Sequence, residues 1–339
     1  MINVVRDIDL SVYDSSLLSV SGVCFKTATS TKNSKVKISL AKLCYYTAKA
    51  MLTGTSIYTK NTAGYARSYF QIIPFLLGEK AGYWALNKDN KNVLRDFSKT
   101  SRVGELAQGI NYFISVNELG AISVWDYREF YKAKLLLPGA PKGRLPDYVL
   151  AYRNGKYGVL ESKGITNADP SDRLLDASGQ VENGKNILMT AGVPLSSSYS
   201  SVVSFATSSK RMKRNTKAFM VDPLEDLEGR QITDFRSEML FECSKHLCLA
   251  GKIELANKFK DESKKQKRLN ISENQIQELS STGSINLYDE NGEARSFQFG
   301  FSENLVNYLT EDSSDIIQFE AYTENKTEFF EDGTYIKEF

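Results

Sequence analysis

Apolar residues are concentrated in two neighbouring segments near the middle of the chain, at residues 147–152 and 156–163. Val149 and Leu150 lie in the first, and Val159 and Leu160 lie in the second. Between the segments, Arg153-Asn154-Gly155 provides residues that favour a tight turn. The pattern therefore predicts two strands joined as a β-hairpin.

Helical spacing of apolar residues surrounds this hairpin. Residues 102–115 place Val103, Leu106, Ile110 and Phe113 on one helical face. After the hairpin, Asp169-Pro170 is typical of a helix start, since proline suits the first helical position. Further helices are predicted at 37–52, 63–77, 90–98 and 230–268, strands at 16–27, 199–207 and 217–222, and hairpins within 282–339.

The order of these elements predicts an α/β fold with a mixed sheet. A helix precedes the hairpin, and a helix and then strands follow it. Four regions are predicted on this basis: a basic, mostly helical N-terminal region (1–99), a central core (100–225), a helical segment with a basic end (226–270), and an acidic, hairpin-rich C-terminal region (271–339).

Composition narrows the chemistry that the chain can perform. Of the 339 residues, 41% are hydrophobic and 25% are charged, which is typical of a folded core. The single histidine, His246, excludes metal sites built from several histidines and argues against a Ser-His-Asp hydrolase. Catalysis would then depend on carboxylates, Lys, Arg or Tyr, and carboxylates favour hard cations such as Mg²⁺ or Mn²⁺.

The distribution of hydrophobic residues predicts a cytoplasmic protein with no membrane partner. Pro74 interrupts the longest apolar run, and a spanning helix needs about 20 apolar residues. Charged residues stand near the N-terminus where a signal peptide would be apolar. The four cysteines have irregular spacings that do not resemble a disulfide framework.

Charge is distributed unevenly along the chain. Residues 1–100 contain 14 Lys and Arg against 6 Asp and Glu, whereas residues 301–339 contain 2 against 10. A basic N-terminal region suggests a polyanionic partner such as nucleic acid, and the acidic C-terminal region could mask it. An uneven but merely solvated surface is an equally good interpretation of the composition alone.

The hairpin carries the residues that point to a chemistry. Pro146-Asp147 is followed, after thirteen residues, by Glu161-Ser162-Lys163. Side chains alternate along a strand, so Glu161 and Lys163 share one face while Ser162 points to the other. Two carboxylates can hold a divalent ion that activates water, and a nearby ammonium can stabilise charge on a phosphate.

This segment resembles the signature of the PD-(D/E)XK nuclease superfamily, whose members have a restriction-endonuclease-like core (αβββαβ). The resemblance implies a Mg²⁺- or Mn²⁺-dependent endonuclease that cleaves DNA, in restriction, phage defence, transposition or repair. It implies Asp147 and Glu161 as metal ligands, with the backbone carbonyl of Ser162, and Lys163 as the catalytic cation. A helicase or ATPase partner and a homo-oligomer are also compatible with the family.

Strand register provides a test of this site. A two-residue turn at Asn154-Gly155 would place Asp147 opposite Ser162, so that Glu161 would lie on the wrong face. A three-residue loop, with Gly155 in the left-handed conformation, pairs Tyr152 with Lys156 and places Asp147 opposite Glu161. We therefore predict the three-residue loop.

Glu105 is the candidate for an accessory catalytic carboxylate. It lies early in the helix predicted before the hairpin, where members of the superfamily often carry an acidic residue. The alternative is structural, because an acidic residue in a first helical turn interacts favourably with the helix dipole.

Weaker candidates could contact nucleic acid. Gln180 lies on the helix after Lys163, where some branches of the superfamily place a glutamine near the site, although a solvated helical residue would look the same. A basic loop between two predicted core strands could contact phosphates, or could be an ordinary solvated loop. This loop contains Lys210, Arg211, Lys213 and Arg214.

Two other kinds of protein remain compatible with the sequence. The first is a nucleic-acid-binding or assembly subunit with an inactive nuclease fold, against which the retention of all three motif residues argues. The second is an interaction protein in which the hairpin motif is coincidental.

Overall fold

A mixed sheet of nine strands, counted within the described residues, forms the centre of the molecule. The computed structural model describes residues 4–19, 22–25, 28–93, 96–135, 140–208, 214–222, 235–265, 275, 279, 284–288, 294–310, 319, 322–330 and 332–339.

The strands and helices follow one another in the order expected of an α/β protein. The strands are β1 (Val5–Tyr13), β2 (Leu18–Ser19), β3 (Gly22–Val23), β4 (Ser30–Ser39), β5 (Leu77–Lys80), β6 (Tyr83–Leu86), β7 (Ala121–Asp126), β8 (Tyr148–Tyr152), β9 (Tyr157–Ile165), β10 (Leu195–Ser204), β11 (Lys217–Val221), β12 (Ser284–Tyr288), β13 (Ala294–Phe301), β14 (Thr323–Glu324), β15 (Thr327–Phe329) and β16 (Thr334–Glu338). The helices are α1 (Leu40–Thr53), α2 (Lys60–Arg67), α3 (Tyr69–Leu76), α4 (Lys88–Val93), α5 (Asp96–Asn117), α6 (Tyr127–Phe130), α7 (Ser171–Thr190), α8 (Phe235–Ala250), α9 (Ile253–Lys265) and α10 (Glu303–Thr310).

The main sheet has the spatial order β5-β6-β1-β11-β10-β9-β8-β7, and β4 pairs with β1 beside this path. Strands β7, β8 and β9 form an antiparallel meander, β9 and β10 are parallel, and β10 and β11 are antiparallel. The order of elements from α5 to β10 is therefore helix, strand, the short helix α6, two strands, helix, strand. The prediction of an α/β fold with a mixed sheet is confirmed.

Helices α5 and α7 cover opposite faces of this sheet. On one face, the amide of Asn111 in α5 donates to the hydroxyl of Ser162 in β9 (2.7 Å). On the other face, Val181 and Leu188 of α7 pack in a buried cluster with Val149 and other residues of β8 and β9. The α7 face is also the one to which the odd-numbered residues of β9 point.

The expectation of a mostly helical N-terminal region is wrong for residues 5–39. Strand β1 lies beside β11 in the middle of the main sheet, and β4 is its antiparallel partner. Asp7, Asp9 and Ser11 alternate with the buried residues Ile8, Leu10 and Val12, so a period of two was present but short. The pairing of β1 with β11 joins residues about 200 positions apart, which local patterns do not reveal. The strand expected at 16–27 is reduced to the short pair β2–β3.

The C-terminal region forms a second sheet with the order β12-β13-β16-β15-β14, in which every pairing is antiparallel. Of the two expected hairpin turns, residues 290–292 lie outside the described residues. At the other turn, Phe330 N donates to Thr334 O (2.9 Å) and Gly333 has φ of 78°. A hairpin-rich C-terminal region is therefore observed.

Helix α8 is buried along its length and carries charged residues into the core. Lys49 of α1 contacts both Glu242 of α8 and Asp332 of the C-terminal region, each at 2.7 Å. Lys245 lies 2.7 Å from Glu242 on the same helix. This buried network connects α1, α8 and the C-terminal sheet.

Within the described residues, no helix is long and apolar enough to cross a membrane.

Candidate active site

The hairpin of β8 and β9 has the predicted register. Tyr148 is paired with Leu160 and Val149 with Val159. The loop contains three residues, because Tyr152 N donates to Lys156 O at 3.0 Å and Gly155 N donates to Tyr152 O at 3.1 Å. Gly155 has φ of 74°, a conformation that favours glycine. The three-residue loop is confirmed, and Asp147 lies opposite Glu161.

Each of the two carboxylates accepts a hydrogen bond from a backbone amide of the neighbouring segment. The amide of Asp147 donates to Oε2 of Glu161 at 2.9 Å, and the amide of Ser162 donates to Oδ2 of Asp147 at 3.0 Å. The ammonium of Lys163 contacts Oε1 of Glu161. The three motif side chains therefore meet at the start of β8, as the alternation along the strands predicted. Their roles in catalysis and metal binding stay predictions.

Helix α7 fixes the segment that precedes Asp147. A Cβ atom at Gly184 would lie only 2.5 Å from the ring of Pro146 and 3.0 Å from Tyr127. The hydroxyl of Tyr127 donates to the carbonyl of Gly184 (2.8 Å), and the amide of Tyr127 donates to the carbonyl of Asp147 (3.0 Å). Only glycine permits this close approach, so Gly184 helps to set the position of Asp147.

Burial perturbs the protonation of both carboxylates. Glu161 is 1% exposed, and this burial, together with the nearby charge of Asp147, raises the pKa of Glu161 to about 7 despite Lys163. Burial also raises the pKa of Asp147 to about 6, although the amide of Ser162 and the charge of Lys163 oppose the shift. The pair is therefore partly protonated near neutral pH, and a cation bound between the two groups would favour their ionised forms.

The donor set fits a small hard cation. Mg²⁺ commonly binds proteins through one or two carboxylates and completes its coordination with water and substrate phosphate. Asp147 and Glu161 supply two carboxylates, and among the described residues Oδ1 of Asp147 accepts no hydrogen bond. The described part of the chain contains no group of three His, Cys, Asp or Glu side chains that could hold a metal. The site is thus a two-carboxylate site, to which the Ser162 carbonyl could add.

Glu105 makes its polar contacts with residues outside this pair. Its carboxylate accepts from Arg102 at 2.8 Å and from Ser101 at 3.2 Å, and lies 3.5 Å from the hydroxyl of Tyr65. Helix α5 covers the face of the sheet opposite to Glu161. The spacing of Arg102 and Glu105 by three residues on a helix was a sequence signal for this ion pair.

Asp176 of α7 is the residue that the sequence analysis missed. Its Oδ2 lies 3.8 Å from the ammonium of Lys163 and 3.4 Å from the amide of Gln180. Its Oδ1 lies 2.6 Å from the guanidinium of Arg144. Gln180 is thus linked to Lys163 through Asp176, four residues before it on the helix. That spacing was visible in the sequence, but the contact with β9 depends on how α7 packs.

Only one of the four candidate residues in the basic loop, Arg214, is among the described residues. Lys210, Arg211 and Lys213 lie outside the described residues. Arg214 is described, and its guanidinium donates to the carbonyls of Thr166 (2.5 Å) and Phe205 (2.9 Å). Arg214 therefore has a structural role in joining the ends of β9 and β10, and its role in binding nucleic acid stays a prediction.

A cavity of about 510 Å³ lies at the end of β9. Thr100 and Val103 of α5 line one side of it, and residues between 164 and 173, from the end of β9 to the start of α7, line the other. None of the three motif residues lines this cavity. We place the candidate chemistry at the carboxylate pair because that is where complementary charged groups converge.

Comparison of the chain with models of protein families, with curated proteins and with solved structures finds no match in any of the three. The structure and its chemistry therefore carry the functional argument.

Proposed function

We propose that this protein is a divalent-metal-dependent nuclease of the PD-(D/E)XK type that hydrolyses phosphodiester bonds in DNA. The observation that carries the proposal is the convergence of Asp147, Glu161 and Lys163 from adjacent strands. The order of elements from α5 to β10, with a mixed sheet, supports the same family.

Each motif residue has a task in this proposal. Asp147 and Glu161 would hold Mg²⁺ or Mn²⁺, with the carbonyl of Ser162 as a further ligand. When bound, such an ion supplies an activated water and neutralises charge on the scissile phosphate. Lys163, which is part-buried beside Glu161, would contribute its ammonium to stabilise the negative charge that develops on the phosphate. Both carboxylates must be ionised to bind the cation.

The test is a cleavage assay on the full chain. Plasmid, linear duplex DNA, single-stranded DNA and RNA are incubated with Mg²⁺ or Mn²⁺, and with a chelator as control. We expect metal-dependent cutting of DNA that falls about 100-fold or more in Glu161→Ala and Lys163→Ala. Cleavage that is unchanged in both variants would contradict the mechanism.

Measurements of nucleic-acid binding and metal uptake, made beside the cleavage assay, separate the alternative functions. An inactive nuclease fold that serves in assembly would bind nucleic acid in all variants and cut none of the substrates. An interaction protein with a coincidental hairpin would neither bind nucleic acid nor take up metal at Asp147 and Glu161.

A further inference from the structure

Lys163 lies between two carboxylates that belong to different elements. Its ammonium contacts Oε1 of Glu161, two residues away on β9. It also lies 3.8 Å from Oδ2 of Asp176 on α7. The lysine side chain is 24% exposed and that of Asp176 is 30% exposed, so both groups are partly accessible to solvent.

This arrangement creates a competition at Glu161. The Oε2 atom of Glu161 accepts the amide of Asp147, and the Oε1 atom contacts Lys163. An ammonium on Oε1 opposes the use of that carboxylate as a metal ligand, because both cations need the same lone pairs. A second acceptor for Lys163 would reduce the competition.

Asp176 is the candidate for that second acceptor, and its carboxylate contacts two other side chains. Its Oδ1 is bound by Arg144 at 2.6 Å, and the amide of Gln180, one helical turn later, lies 3.4 Å from its Oδ2. The backbone of Arg144 is in turn tied to α7, because the amide of Asn183 donates to the Arg144 carbonyl at 2.8 Å. These contacts orient Asp176 with Oδ2 on the side of Lys163, and the Arg144 side chain that takes part is 78% exposed.

We propose that Asp176 is a positioning residue that draws the Lys163 ammonium away from Glu161 and so leaves Glu161 free to act as a metal ligand. The inference rests on the proposed function, since it concerns the metal site of that function. It gives a residue of α7, which lies outside the sequence motif, a role in positioning the motif lysine.

The test measures Mn²⁺ affinity by calorimetric titration, without substrate and without reference to cleavage. Asp176→Asn is compared with the parent chain, and the same change is made in a Lys163→Met background. Asp172→Asn is the matched control, because it removes an exposed carboxylate one turn earlier on the same helix.

We expect Asp176→Asn to weaken Mn²⁺ binding about three- to tenfold in the parent chain and to have no effect in the Lys163→Met background, as is expected of residues that act through one another. Asp172→Asn should leave the affinity within twofold of the parent. An equal loss of affinity in both backgrounds would mean that Asp176 acts on the metal by its charge alone and not through Lys163. No loss of affinity in the parent chain would mean that Asp176 has no influence on the metal site. Either result overturns the inference. A parent chain that binds no Mn²⁺ would overturn the proposed function together with this inference.

Discussion

Replacing Glu161 by glutamine should change how the stability of the metal-free protein depends on pH. In the folded state, burial and the charge of Asp147 raise the pKa of Glu161 to about 7, whereas in the unfolded chain it returns to the ordinary 4.5. Between these values the folded state keeps a proton that the unfolded state releases. The carboxyl group therefore favours folding at low pH, and this contribution is lost as the pH rises through 7.

The size of the effect follows from the two pKa values. At about 1.4 kcal/mol for each tenfold change in the equilibrium constant, the difference between 4.5 and about 7 corresponds to about 3 kcal/mol. Glutamine keeps the shape of the side chain but does not titrate. The stability of Glu161→Gln relative to the parent should therefore rise by up to about 3 kcal/mol between pH 4.5 and pH 7.5.

The assay is urea denaturation followed by circular dichroism at pH 4.5, 6.0 and 7.5, in the presence of a chelator. Glu105→Gln makes the same substitution in a carboxylate outside the pair and serves as the control. Because glutamine can accept only one of the two contacts of Glu161, the absolute stability of the variant is less informative than its pH trend. A difference from the parent that stays constant across this range would refute the reasoning.

Three further predictions concern packing, the buried ions and the metal. Gly184→Ala should destabilise the protein by about 1–3 kcal/mol in urea denaturation, because the alanine methyl group would meet the ring of Pro146. Gly179→Ala is the control: it lies on the same helix with open space around it and should cause no loss of stability. Equal effects of the two substitutions would contradict the close approach of Gly184 to Pro146. By the same method, Lys49→Met should destabilise the protein by about 3–5 kcal/mol, because it leaves the buried carboxylates of Glu242 and Asp332 without this partner. The control Lys32→Ala removes the more exposed ion pair with Glu118 and should cost less than about 1 kcal/mol. A small loss in Lys49→Met would count against the buried network. Mn²⁺ affinity should weaken at least about tenfold from pH 7.5 to pH 5.5, because the raised pKa values protonate the ligands, and an affinity independent of pH would argue that the ion binds elsewhere.

The sequence was most informative where the structure depends on local chemistry. A three-residue loop that ends in glycine determines which residues of the hairpin face each other, so the opposition of Asp147 and Glu161 could be derived from residue numbers and turn preferences. The alternation of side chains likewise placed Glu161 and Lys163 on one face. The helices on either side of the hairpin and the strands β10 and β11 were predicted from local patterns, whereas β7, the strand that precedes the hairpin, was not.

The parts that could not be predicted depend on contacts between distant segments. Strand β4 begins with polar residues and alternates lysines with buried Val36 and Ile38 only at its end, which masks its strand character. The contact between Asp176 and Lys163 requires the packing of α7 on β9, which no local pattern specifies. The ion pair between Arg102 and Glu105 could have been expected from their spacing of three residues, and the catalytic role of Glu105 stays a prediction.

The most direct test of the central claim is Mn²⁺ binding by the parent chain and by Asp147→Asn at pH 7.5, measured by calorimetric titration. The substitution keeps the side-chain shape and removes one of the two carboxylates that meet at the start of β8. We predict that the parent binds Mn²⁺ and that Asp147→Asn binds it at least about tenfold more weakly. Equal affinity in the two proteins, or no binding by the parent, would contradict the claim that Asp147 and Glu161 form a metal site.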